Sequence, residues 1–201
     1  VPLDQLLILT DVAGRNIRPL DPPPGVVPRQ AAVLILLYPD ATDLRLPLTV
    51  RSDALPNHRG EVSLPGGATD PEDDGPIATA LRECQEELGI DPDGIDILGT
   101  LSPLYIPPSN FRITPVVGFL PNPPTIHVNM EEVSAVITVT LRTLMDPATI
   151  VVEQWTRRDL ELLVPFFAID GHKVWGATAL VLSEFVARMR RSLVNENAIS
   201  R

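Results

Sequence analysis

The 201-residue sequence predicts an α/β fold, a mixed sheet sandwiched between helices. Strand-like apolar runs lie on both sides of one amphipathic helix at 76–88, so strands and helix alternate. A second amphipathic segment, 176–193, closes the chain. Prolines number 22, and their clusters at 22–24, 107–108 and 121–124 mark loops and exclude a continuous helical bundle.

In chain order, Asp21-Pro22-Pro23-Pro24-Gly25 is a stiff linker. The expected organisation is an arm and Pro-rich linker over 1–29, one domain over 30–193, and a C-terminal tail over 194–201. Val33 to Tyr38 reads as a buried strand and Leu46 to Arg51 as its neighbour. Ile95 to Leu101, Phe111 to Leu120 and Val133 to Leu141 read as three more strands. Thr149 to Gln154, Val164 to Ile169 and His172 to Trp175 read as shorter or edge strands. Tyr105-Ile106-Pro107-Pro108 reads as a loop. In the closing helix, Leu180, Val181, Phe185, Val186 and Met189 share the core side.

The helix at 76–88 carries the most chemistry. Pro76 suits its first turn after Asp73-Asp74-Gly75, where the aspartates meet the positive end of the helix dipole, and Gly89 supplies a left-handed stop. Ile77, Ala80, Leu81, Cys84 and Leu88 recur at three- and four-residue steps as the apolar stripe, leaving Glu83, Glu86 and Glu87 on the flank. Like charges at that spacing cost an isolated helix roughly 0.2–0.5 kcal/mol per pair. A divalent cation among them would remove that cost. An all-oxygen, acidic set suits Mg²⁺ or Mn²⁺ rather than zinc, and Mg²⁺ is commonly held by a few carboxylates plus substrate phosphates. The competing reading is a solvated acidic face with Glu86 paired to Arg82.

Composition narrows the class. Hydrophobic residues make up 44% of the chain, as in an ordered globular protein. A net charge of −10 argues against nucleic acid or an anionic membrane as the main partner, and an anionic substrate must then be drawn in by metal and local arginines. The single cysteine, Cys84, excludes an internal disulfide and falls on the apolar stripe, where it reads as a small buried hydrophobe. No apolar run approaches the length of a membrane span. The expectation is a soluble, intracellular protein, with Val1 in place of methionine reading as a removed or omitted leader. The ending Ile199-Ser200-Arg201 is not a peroxisomal address.

Gly66-Gly67-Ala68-Thr69-Asp70-Pro71-Glu72, followed by Arg82-Glu83-Cys84-Gln85-Glu86-Glu87-Leu88-Gly89-Ile90, resembles the signature of the Nudix hydrolases. In that signature a glycine, five residues and a glutamate are followed, seven residues later, by Arg-Glu-apolar-x-Glu-Glu-x-Gly-apolar. The middle departs from it: nine residues separate Glu72 from Arg82, and seven separate Asp74 from Arg82. This reads as a two-residue expansion of the loop, in which Asp73 or Asp74 stands in for Glu72. A narrower resemblance, to the coenzyme A pyrophosphatase branch, lies in Leu48-Thr49-Val50-Arg51-Ser52, Leu55, His58, Gly60 and Leu64-Pro65-Gly66-Gly67, with Leu64 where that branch has Phe. Ile113 to Gly118, Glu132-Val133 and Trp175 to Ala179 are also similar to segments of that branch.

The family resemblance implies an α/β/α sandwich and a metal-dependent pyrophosphatase. It implies metal held by Glu83, Glu86, Glu87 and the Gly66 carbonyl. A pyrophosphate bridge repels incoming water with its own negative oxygens, so its hydrolysis needs charge neutralisation and activated water. Arg82 has two readings: a phosphate contact, or an ion pair that orients Glu86 or a loop carboxylate; the second is favoured. The general base is Glu86, Glu87, or a residue on a later loop, Glu131 or Glu132. The narrower resemblance implies that Arg51, Ser52, His58 and Arg59 meet a small-molecule substrate, which would be coenzyme A or its acyl or oxidised derivatives, cleaved to 3′,5′-ADP and 4′-phosphopantetheine. The alternatives are hydrolysis of another nucleoside diphosphate derivative (NADH, ADP-ribose, an oxidised dNTP) and a non-catalytic module that senses a nucleotide. His127 and His172 read as structural, and Phe111 and Trp175 as core aromatics.

Overall fold

The computed structural model describes residues 2, 5–17, 19, 21–52, 60–157 and 159–199, with side chains described as far as Val194. These fall into two compact units, Pro19–Leu141 and Val1–Arg18 with Arg142–Arg201.

In the first unit the strands are β2 (Arg29–Asp40), β3 (Asp43–Arg51), β4 (Val62–Ser63), β5 (Gly66–Ala68), β6 (Asp96–Thr100), β7 (Leu104–Ile106), β8 (Phe111–Phe119) and β9 (Val133–Thr140), a count that includes two- and three-residue pieces. The main path runs β4-β3-β2-β8-β6, with β5 on β2, β7 on β8 and β9 on β3. The sheet is mixed because β2 and β8 pair in parallel, Arg29 opposite Phe111 through Leu37 opposite Phe119, while the other pairs are antiparallel. Leu34, Ile35 and Leu36 are all fully buried, which explains why β2 reads as an uninterrupted apolar run rather than an alternating one. The expected neighbour of β2, β3, pairs with it only at the hairpin end, Tyr38–Asp40 against Asp43–Arg45.

Helix α1 (Gly75–Leu88) has Pro76 in its first turn and ends at Gly89 (φ 64°), whose N–H donates to the Gln85 carbonyl. Ala80, Cys84 and Leu88 pack on Ala32, Leu34, Leu36 and Val116 of the sheet. Cys84 is fully buried, and burial pushes its thiol up to about 12. Ile77, expected on the apolar stripe, is instead exposed and takes no part in the cluster that Ala80, Cys84 and Leu88 form with the sheet. Glu87, expected on the flank beside the apolar stripe, is 4% exposed, a burial that a solvated acidic face would not show. Tyr105, expected in a loop, is buried in β7, which makes a hairpin with β8; Asn110 (φ 53°) forms the turn and accepts the Tyr105 hydroxyl at 3.1 Å.

The second unit holds β1 (Thr10–Asp11), α2 (Leu141–Met145, its first residue belonging to the other unit), β10 (Ile150–Arg157), β11 (Leu160–Ile169), β12 (His172–Trp175) and α3 (Gly176–Ile199). Strand β11 is central rather than edge-like, pairing antiparallel with β1, β10 and β12. It is longer than its apolar core suggests because Leu160 to Leu163 continue the ladder with β10. Trp155 and Trp175 meet edge to face at 5.0 Å over Leu9, Leu162 and Val164, so Trp175 is part of a packed cluster. Helix α3 buries Leu180, Val181, Phe185 and Val186 and runs past 193. Among the described residues no helix is long and apolar enough to cross a membrane.

Candidate active site

The site begins with two glycines and a strand. β5 lies antiparallel to β2 with Gly66 opposite Val33 and Gly67 opposite Ala32. A side chain on Gly66 (φ 154°) would meet the Ala32 carbonyl oxygen at 2.3 Å, and one on Gly67 would meet Glu83 Oε1 at 2.4 Å. The first glycine therefore permits the strand pairing, and the second leaves room for a carboxylate directly over the backbone.

Arg82 gathers the charges around this turn. Its Nε and one terminal nitrogen each donate to Asp73 at 3.0 Å, a two-pronged pair, and the same terminal nitrogen donates to the Ala68 carbonyl at 2.9 Å. The other terminal nitrogen donates to Glu83 at 3.0 Å and Glu86 at 2.8 Å. This is the geometry of an orienting ion pair. Hydrogen bonding to Asp73 holds the Arg82 guanidinium well above its ordinary pKa, and the reciprocal bond holds the Asp73 carboxyl well below its own. Asp73 is also fixed by the Asp70 N–H at 2.9 Å and by the hydroxyl of fully buried Thr79 at 3.0 Å. In the expanded loop it is thus Asp73 that meets Arg82, while Glu72 is exposed. Thr79 reads in the sequence as an ordinary helix residue; nothing but the fold marks it.

The three helix carboxylates occupy different environments. Glu86 is half exposed and leans on Arg82. Glu83 has a side chain 14% exposed, and burial raises its pKa despite Arg82, with the charges of Glu86 and Glu132 adding to the rise. Burial drives Glu87 up to about 8, helped by the charges of Glu83 and Glu132 and opposed by the Gly66 N–H and the Arg51 charge. Oε2 of Glu87 is a buried oxygen without a hydrogen-bond partner among the described residues. Such an orphan costs free energy unless something positive meets it. Among the described residues no three acidic, imidazole or thiol side chains converge into a closed cation cage. Glu87, Glu83 and Glu132 nonetheless feel one another's charge, and an all-oxygen set with one bare oxygen fits a hard divalent cation.

Two further elements close on the same place. At the end of β3 the register against β9 shifts between Val50 and Arg51: Val50 faces Ala135 and Arg51 faces Val133. A bulge of this kind re-aims a side chain. The skipped Ser134 donates its hydroxyl to the Val50 carbonyl at 3.1 Å. Among the described residues Arg51 Nε is likewise a buried side-chain atom without a partner, and the Arg51 charge reaches Glu87. Ser52 is buried, and its N–H donates to the Glu132 carbonyl at 2.9 Å. The Asn129 N–H donates to the Glu87 carbonyl and its amide to the Glu132 carboxylate at 3.3 Å, which pins the approach to β9 against the end of α1. No sequence motif singles out Asn129. Glu132 is half-buried and within reach of the cluster's charge, whereas Glu131 is exposed. His58 and Arg59 lie outside the described residues. His127 is exposed and serves through its backbone, its N–H donating to the Leu88 carbonyl. Phe111 is half-buried with the Arg29 guanidinium 4.4 Å over its ring.

The NUDIX domain family matches residues 28–158. The protein named Uncharacterized Nudix hydrolase NudL from Photorhabdus laumondii is 35% identical over 190 residues, covering 92% of this chain and 100% of its own. Nudix hydrolase 22, chloroplastic, from Arabidopsis thaliana is 36% identical over 167 residues, covering 77% of this chain and 53% of its own. Among solved structures the Nudix hydrolase RenU from M. smegmatis aligns with a TM-score of 0.51 at 18% identity, over 84% of this chain and 86% of that one, a likeness of fold. Matched across the stretch that carries the glycine turn and the acidic helix, and along nearly its whole length by a hydrolase of that name, the chain belongs to the Nudix hydrolase family.

Proposed function

We propose that this Nudix hydrolase splits the pyrophosphate bond of coenzyme A or its acyl or oxidised derivatives, using Mg²⁺ or Mn²⁺ and releasing 3′,5′-ADP and a 4′-phosphopantetheine. Nudix hydrolases generally use divalent metal ions. The observation that carries the reading is the pair of orphaned, buried atoms, Glu87 Oε2 and Arg51 Nε, on side chains close enough to sense each other's charge. One asks for a cation and the other for an anion, which is what a metal-bound diphosphate brings. The choice of coenzyme A rests on the resemblance of Leu48 to Gly67 to that branch of the family.

Glu83, Glu86 and Glu87, with the Gly66 carbonyl, would hold the metal, which when bound supplies positive charge to the phosphoryl oxygens and acidifies water. Arg82 keeps Glu83 and Glu86 in place and ties them to the loop through Asp73. Arg51 would meet the diphosphate, with Ser52, His58 and Arg59 on the segment that follows it. Glu132, half-buried and within reach of the cluster's charge, would take a proton from the attacking water, with Glu86 and Glu87 as the other candidates.

Mass spectrometry of the products after incubation with coenzyme A and Mn²⁺ tests reaction, substrate and cleavage position together. The expected products are 3′,5′-ADP and 4′-phosphopantetheine; intact coenzyme A beside cleaved NADH or ADP-ribose would move the substrate to another nucleoside diphosphate derivative. Parallel rates on coenzyme A and its 3′-dephospho form measure how much the 3′-phosphate matters. Replacing Arg51 by Gln should raise KM about 10- to 100-fold, the worth of a charge-assisted hydrogen bond of about 1.5–3 kcal/mol, with a smaller change in kcat. An unchanged KM would remove Arg51 from the substrate site.

A further inference from the structure

The unit formed by 1–18 and 142–201 contains a cavity of about 620 Å³. That size lies within the usual range for small-molecule sites, about 300–1,000 Å³. Its walls are apolar: Leu7 of the N-terminal arm, Ile150 of β10, Phe167 of β11, and Val186 and Ala187 of α3. The polar wall residue Ser183 is already satisfied, its hydroxyl accepting from the Leu7 N–H at 3.0 Å and donating to the Leu180 carbonyl at 2.8 Å. Gln5, whose side-chain oxygen accepts from Arg191, is the other uncharged polar residue of the lining, so a sugar or a base would meet few partners for the hydration it loses.

The edge of the cavity has the opposite character. Arg190 and Arg191 both line it. Arg190 donates to the Met145 carbonyl at 2.7 Å and Arg191 to the Gln5 side-chain oxygen at 3.4 Å, both neutral acceptors. Among the described residues neither has a carboxylate partner, whereas Arg188, on the same helix, is paired with Glu184 at 2.6 Å. On a chain of net charge −10, two adjacent uncompensated cations beside an apolar cavity complement an anionic head on an alkyl tail.

We propose that this cavity binds a single-chain fatty acid, its tail among Leu7, Ile150, Phe167 and Ala187 and its carboxylate at Arg190 and Arg191. The site uses none of the carboxylates of α1 and stands independently of the hydrolase reading.

Calorimetric titration with dodecanoate below its micelle threshold tests this, with dodecanol and dodecyltrimethylammonium as neutral and cationic probes of equal chain length. The expected result is saturable binding of one dodecanoate per chain and no saturable binding of the cation. The double variant Arg190→Gln/Arg191→Gln should weaken dodecanoate at least tenfold and leave dodecanol unchanged. Ala187→Trp, which fills the cavity, should abolish binding of both; since a tryptophan there could disturb folding, the double variant at two exposed positions decides the matter by itself. The proposal is overturned by the absence of saturable dodecanoate binding, by equal affinity for dodecanoate and the cation, or by full dodecanoate affinity in the double variant. Sedimentation on the same samples covers the other occupant: a concentration-dependent dimer that Ala187→Trp disperses, without dodecanoate binding, would assign the cavity to a second copy of the chain.

Discussion

Replacing Glu87 by Gln is expected to lower turnover by about 10³-fold or more and, in the absence of divalent metal, to make the protein more stable than the parent at pH 8. The two effects share one cause. The parent carboxylate is 4% exposed, has one oxygen without a partner among the described residues, and is raised to about 8 by burial and by Glu83 and Glu132. Between its ordinary value of 4.5 and about 8 the folded chain keeps a proton at Glu87 that the unfolded chain has released. Stability linked to this group is therefore complete below about pH 4.5 and lost as pH rises toward 8. At about 1.4 kcal/mol per pH unit the loss amounts to a few kcal/mol. Glutamine fills nearly the same volume without a charge, so the variant should show a flatter profile. As a metal ligand, however, glutamine is a poor substitute for a carboxylate, and transition-state charge stabilisation worth several kcal/mol corresponds to a rate loss of about 10³-fold. Urea unfolding with EDTA at pH 5, 6.5 and 8 reads the first effect and steady-state hydrolysis with Mn²⁺ the second. A parent whose metal-free stability does not fall over that range would show that Glu87 is already charged and paired. Full activity in the variant would remove Glu87 from the metal site.

The second large effect is expected at Arg82. Its side chain is about one-quarter exposed and Asp73, its two-pronged partner, only 6% exposed. Removing one member of a buried ion pair costs about 3–5 kcal/mol, because the remaining charge is left without compensation. Arg82→Ala should lose stability on that scale and most activity, as Glu83 and Glu86 lose their common donor. Arg82→Lys separates charge from shape: a point charge cannot reproduce bonds to Asp73, Ala68, Glu83 and Glu86 at once. Its kcat should fall about 10- to 100-fold with little change in KM, the usual penalty for loosening a group that orients metal ligands. Because the Asp73 carboxyl is held below its ordinary pKa, the linked stability is complete above about pH 4 and is lost as pH falls further. Asp73→Asn should remove that acid limb of the profile, while Glu72→Gln should leave stability and rate near the parent. Equal damage from Glu72→Gln would return the anchoring role to Glu72.

Much of the site could be read from residue spacing. Gly66-Gly67 and Arg82-Glu83-x-x-Glu86-Glu87 are local patterns: a tight turn and a helix face put these groups side by side whatever else the chain does. Pro76 and Gly89 act on their own backbones, and the helix starts and stops where they stand. What could not be read depends on partners far away in sequence. Ile77 obeys the apolar period yet is exposed, because the period says which residues share a face and not which of them meet the sheet. Tyr105 precedes two prolines and looked like loop, but pairing with Arg112 across a turn made it strand. Asp73, Asp74 and Glu72 are equivalent as letters; only the path of the expanded loop over Thr79 selects Asp73.

Helix, strand runs, acidic cluster and the family resemblance were thus determined by the sequence alone, since each rests on interactions within a few residues or on one continuous motif. The tertiary structure decided which carboxylate is buried, which loop acid holds Arg82, and where the β3 bulge aims Arg51. Burial and charge coupling are properties of neighbours brought together by β2, β3 and β9, and electrostatic free energy depends on those distances and on excluded water, neither of which a linear pattern contains.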